Sequence, residues 1–122
     1  MRRSFLIAVA LGCAAAMPAA QRAAPDGEWR YYAADASSTK YSPLDQITRT
    51  NVGSVHVPWR WNSPDNDIVK ANPTSRPGAY QDTPLMVNGV LYTETSLGIF
   101  VAIDPTTGRT LWQYDPEVWK AG

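Results

Sequence analysis

Side chains able to do chemistry are sparse in this chain of 122 residues, which holds one histidine, His56, and one cysteine, Cys13. His56 falls on the polar side of an alternating segment and reads as a solvated or backbone-bonded imidazole rather than a catalyst. Asp65-Asn66-Asp67 offers the oxygens of a calcium loop, but the glycine and distant glutamate of that motif are missing, so a polar turn is expected there. Gln81 sits in a loop just ahead of a strand. Its amide can donate and accept hydrogen bonds but cannot act as a carboxylate, and an ordinary loop glutamine is the plain reading. No residue is assigned a catalytic or a metal-ligating role.

Charge narrows the partners. The chain balances 11 basic against 11 acidic residues, and loss of Arg2 and Arg3 with an N-terminal signal leaves 9 against 11, a net of −2. Nucleic-acid binding therefore has no electrostatic support.

Arg2 and Arg3 form a positive n-region, Phe5 to Ala16 an apolar h-region, and small residues follow at Ala14 to Ala16, Ala19 and Ala20. Residues 1–20 are thus expected to be a signal peptide cleaved between 16 and 24, and the product exported to the periplasm. The apolar run is short and Ala-rich against the roughly 20 residues of a membrane span, so no transmembrane segment is expected after cleavage. General secretion and twin-arginine export both fit Arg2-Arg3-Ser4-Phe5-Leu6. A lipid anchor on Cys13 is the minor alternative, weakened by Ala10 where a lipobox usually has Leu. Ordinary cleavage leaves no cysteine and hence no disulfide.

The elements that must position everything else are short. Ten Pro and eight Gly interrupt the chain too often for long helices, while five Trp and six Tyr suit strands. Residues 21–28 read as a flexible lead, and Thr48 is placed to cap a helical turn through Asn51 and Val52. Val55, Val57, Trp59 and Trp61 alternate with His56, Pro58 and Arg60, the period of a strand. Pro58 makes it an edge strand. Residues 62–83 lack periodicity and read as a long polar loop. Leu85 to Val87, Asn88-Gly89 and Val90 to Thr95 form a hairpin with a two-residue turn that needs two positive φ angles. Ile99 to Ile103 and Thr110 to Tyr114 complete a four-stranded antiparallel meander. Its strands carry apolar residues on both faces, which implies a sheet sandwiched between layers, as in a radial stack of blades.

Ala102, Asp104, Thr107, Gly108 and Trp112, with Arg109 in place of the usual Lys and Thr110 in place of the usual Glu, resemble the tryptophan-docking motif of pyrroloquinoline-quinone (PQQ) propellers. In that motif Gly108 would take a left-handed turn, Asp104 would accept backbone hydrogen bonds, and Trp112 would pack on a neighbouring blade. Trp29 and Tyr32, then Lys40-Tyr41-Ser42-Pro43-Leu44-Asp45-Gln46-Ile47, Asn51-Val52 and Trp59, resemble the N-terminal segment of quinoprotein dehydrogenases, the glucose dehydrogenase type above all. Thr83-Pro84-Leu85, Val87, Gly89, Leu91, Tyr92 and Tyr114-Asp115-Pro116 extend the likeness.

The resemblance implies an all-β fold: a partial β-propeller, about one four-stranded antiparallel blade plus an N-terminal segment, with residues 29–122 as an incomplete PQQ-type repeat region. It implies PQQ and calcium as cofactors of the full-length protein, a sugar or alcohol substrate and a respiratory electron acceptor. Relatives place a Glu three residues before the Thr-Pro-Leu proline, near the quinone; Gln81 stands there and would be a neutral cofactor contact. The family's Asp base and calcium ligands belong to later blades, so this stretch alone is expected to bind PQQ weakly and to be inactive. The alternative function is a cofactor-free propeller serving as an envelope scaffold, which shares the docking motif but not the Tyr-Ser-Pro-Leu segment.

Overall fold

The computed structural model describes residues 27–121, so the expected signal peptide, Cys13 and most of the flexible lead lie outside the described residues. Its centre is one four-stranded antiparallel sheet in the order β1-β2-β3-β4, with β1 Leu85–Val87, β2 Val90–Glu94, β3 Phe100–Ile103 and β4 Thr110–Tyr114. The meander expected from the sequence is present. Asn88 and Gly89 both take positive φ, +51° and +74°, which gives the β1–β2 turn the twist of its flanking strands. Trp29 adds one antiparallel bridge to Met86 on the outer side of β1, with N···O distances of 3.0 and 2.9 Å.

Register assigns the faces. Leu85, Tyr92, Ala102 and Trp112 are successive cross-strand partners and lie on one face, with Glu94, Phe100 and Tyr114 beside them. Ile99, Val101 and Ile103 alternate onto the other face and form the buried core, against which Trp61, Ile68 and Leu91 pack. Only that second face is covered within the described residues. On the first, Ala102 is fully buried beneath Tyr92 and Trp112, whose tilted rings lie 6.1 Å apart, while Phe100, Trp112 and Tyr114 remain 46, 48 and 61% exposed.

Two expectations are corrected. The segment from Val55 to Trp61 is not a strand. Pro58 has no N–H for a ladder, and the two tryptophans tether the segment through their indoles instead. Trp59 donates to the Pro105 carbonyl and Trp61 to the Thr110 hydroxyl, each at 2.9 Å. The stretch 62–83 is not all loop, nor is Asp65-Asn66-Asp67 a turn: α1 spans Asp65–Ala71. Ser63 accepts from the Asp65 N–H, Asp65 and Asp67 lie in the positive first turn and Lys70 in the last. Ile68 then turns onto the sheet core. The short helical turn at Val52–Ser54 is present, but it is the Thr48 carbonyl, not its hydroxyl, that receives the Asn51 and Val52 N–H groups.

Candidate functional site

Chain direction places the start of β1 and the end of β2 at the same end of the sheet, so residues 80–82 lie beside residues 93–96. Continuing the register Leu85↔Tyr92 sets Pro84 opposite Thr93. Proline has no N–H to offer, and the backbone ladder ends there. Side chains take over. The Asp82 carboxylate accepts from the Glu94 N–H at 2.9 Å and from the Thr93 hydroxyl at 2.7 Å, and the Tyr80 hydroxyl meets Thr93 Oγ1 at 2.6 Å.

Gln81 lies between these two anchored neighbours, is exposed, and has no hydrogen-bond partner for its amide among the described residues. It lines a cavity of about 300 Å³ with Tyr80, Asp82, Glu94, Thr95 and Ser96. Tyr80, Thr95 and Ser96 also border a second hollow of about 410 Å³, walled by Trp61, Pro77 and residues of α1 including Val69. Asp65, buried, ties α1 to this end of the sheet by accepting the Leu97 N–H at 3.3 Å. The sequence did not single out Asp82 or Thr93, and it read Asp65 only as part of a polar turn. The available signal was Ser63-Pro64 ahead of two acids and an apolar pair, a helix start.

At the opposite end lies the β3–β4 loop. Asp104 accepts from the Thr106 N–H at 2.9 Å and the Thr107 hydroxyl at 2.8 Å, which hold its carboxyl below the usual carboxylate value, the Thr107 bond most of all. Gly108 adopts φ +72°, and a Cβ there would stand 2.6 Å from the Trp59 ring. The expected backbone roles of Asp104 and Gly108 are thus met, and the Trp59 ring is seated on the glycine. His56 is exposed and its Nδ1 lies 3.3 Å from the Ser54 carbonyl, far from Gln81 in the chain and outside both cavities.

The family model described as "Glucose/ethanol/alcohol dehydrogenase, beta-propeller domain" of PQQ proteins matches residues 29–122. The chain belongs to the PQQ-dependent dehydrogenase β-propeller family. Its relatives include the dehydrogenase subunit of the quinone alcohol dehydrogenase of Gluconobacter oxydans, 38% identical over 75% of this chain and 11% of that protein. A 1-butanol dehydrogenase (cytochrome c) of Thauera butanivorans is 36% identical over 78% of this chain and 12% of its own length. The crystal structure of the quinohemoprotein alcohol dehydrogenase from Comamonas testosteroni superposes with a TM-score of 0.62 at 31% identity, over 79% of this chain and 13% of that one. The chain therefore spans little more than a tenth of the length of these relatives. They are named alcohol dehydrogenases, so the likeness reaches PQQ dehydrogenases as a class and does not single out the glucose type.

Does this end of the sheet suit a quinone cofactor? PQQ is planar, with carbonyl and carboxylate oxygens that need donors. Gln81 supplies a free amide, and Thr95 and Ser96 supply hydroxyls. Asp82 is already engaged by two donors, which turns its charge toward Thr93. The amide and hydroxyls match the cofactor's carbonyl oxygens, while Glu94, a second carboxylate in the same lining, does not match its carboxylates, whose counter-charges this lining does not supply. A calcium cage is another matter: among the described residues no three His, Cys, Asp or Glu side chains cluster to hold a metal. Nor is any helix among them long and apolar enough to cross a membrane.

Proposed function

We propose that this chain is the N-terminal propeller segment of an exported PQQ-dependent dehydrogenase that oxidises an alcohol hydroxyl and passes the electrons to a respiratory acceptor. The observation that carries the reading is the cavity around Gln81, a free amide on a fixed backbone, in a chain whose relatives are quinone alcohol dehydrogenases. Bound PQQ would supply the hydride acceptor for the carbinol carbon, with the protein supplying orientation and a base. Gln81 contributes a neutral hydrogen bond to the cofactor's rim. It cannot take the substrate proton, so the base, like the calcium ligands, comes from blades outside the matched segment. By this division the 122 residues alone orient but do not oxidise. A sugar substrate of the glucose type is the finer reading that the Lys40 to Ile47 segment suggests, and the names of the relatives favour simple alcohols over it.

The test is direct. The full-length dehydrogenase, loaded with PQQ and calcium, should reduce an artificial acceptor with ethanol or 1-butanol and do so faster than with glucose. Glucose as the preferred substrate would overturn the alcohol reading, and absence of PQQ binding would favour the scaffold. Within it, Gln81→Ala should weaken PQQ binding about fivefold, the scale of one hydrogen bond.

A further inference from the structure

The side chains on either side of Gln81 converge on one hydroxyl. Thr93 has a single hydroxyl proton, and an ionised carboxylate can only accept, so that proton goes to Asp82. The Tyr80 hydroxyl, 2.6 Å from Thr93 Oγ1, must then be the donor in its own bond. The bonds run one way, from Tyr80 through Thr93 to Asp82, and the Glu94 N–H closes on the same carboxylate oxygen. Each bond polarises the next.

We propose that Asp82, acting through Thr93 and Tyr80, is the positioning residue that aims Gln81 at the cofactor. The inference rests on the reading of Gln81 as a PQQ contact. Tyr80 and Asp82 both reach Thr93, which fixes the chain on either side of Gln81, and Gln81 borders the same cavity with its amide free of partners among the described residues. Pro84 cannot hold this segment by the ladder, so without the Asp82 clamp residues 80–82 would lie loose beside β2. A loose glutamine must be ordered at the moment the cofactor binds. A clamped one is already placed.

The experiment is a PQQ titration of the full-length apo-dehydrogenase with calcium present, read by quenching of tryptophan fluorescence. Asp82→Ala and the near-isosteric Thr93→Val should each weaken PQQ binding about three- to tenfold, and Asp82→Asn, whose amide oxygen still accepts both bonds, should restore most of the affinity. The deciding variant is Gln81→Ala/Asp82→Ala. If Asp82 acts only through Gln81, the double variant binds no more weakly than Gln81→Ala alone. Additive losses would overturn the clamp, as would wild-type affinity in both Asp82→Ala and Thr93→Val. Unchanged affinity in Gln81→Ala would instead overturn the cofactor contact itself, so the two failures are distinct.

Discussion

At Gly108 two constraints meet on one α-carbon. Its φ of +72° disfavours any L side chain, and the space a Cβ would need is taken by the Trp59 ring at 2.6 Å. The ring cannot slide away without giving up its bond to the Pro105 carbonyl. Gly108→Ala should therefore destabilise the protein by about 2–4 kcal/mol, the sum of a left-handed backbone and an overpacked contact. The thermal midpoint reports it, and a shift no larger than that of an exposed loop substitution would refute the account. Asp104 and Asp35 supply a second test. The Thr39 hydroxyl, above all, lowers the Asp35 carboxyl, and the Thr107 hydroxyl lowers that of Asp104. A depressed folded value means stability present above the ordinary 3.8 and lost as pH falls through the lower folded value. The thermal midpoint should therefore fall as the pH drops below the ordinary 3.8, and Asp104→Asn should flatten that decline. An unchanged acid profile in Asp104→Asn would remove Asp104 from the explanation.

Elements were legible where their signal is local. Asn88-Gly89 dictates a hairpin by backbone sterics alone, and β4 has the bounds its alternation implies. The signal failed where a tertiary contact decides. Val55 to Trp61 alternates like a strand, yet its partners are a carbonyl and a hydroxyl reached by indole N–H groups 46 and 49 residues away, which no period reveals. Helix α1 is too short for a 3.6-residue period to stand out. What stabilises it is Ile68 on the sheet core and Asp65 on the Leu97 N–H. Resemblance named Gln81 as a candidate, but the Asp82–Thr93 hydrogen bond depends on which residues the meander brings side by side. Helix α1 has a prediction of its own. Ile68→Ala removes the one aliphatic side chain by which it packs on the Ile99–Val101–Ile103 cluster, and should cost about 1–3 kcal/mol, since the residue is only partly buried. A midpoint unchanged in that variant would mean that α1 is held by Asp65 alone.

For the whole molecule, the asymmetry of the sheet matters most. One face is covered over β3 by Trp61 and α1; the other presents Phe100, Trp112 and Tyr114 half exposed on paired strands. Apolar faces of this kind mark contact surfaces, and among the described residues the outer edge of β4 has no strand partner beside them. In a propeller such a face meets the next blade, in agreement with a chain that matches little more than a tenth of its relatives' length. The 122 residues expressed alone should then self-associate at micromolar concentration. Sedimentation velocity would show oligomers that shrink when Trp112→Glu and Tyr114→Lys place charge on the face. If a neighbouring blade covers this face in a longer protein, the same pair of substitutions there should destabilise it, because a buried charge without a partner is costly. A lone chain that sediments as a monomer and melts sharply would show that the face needs no neighbour, and would cut the link between Trp112 and blade packing.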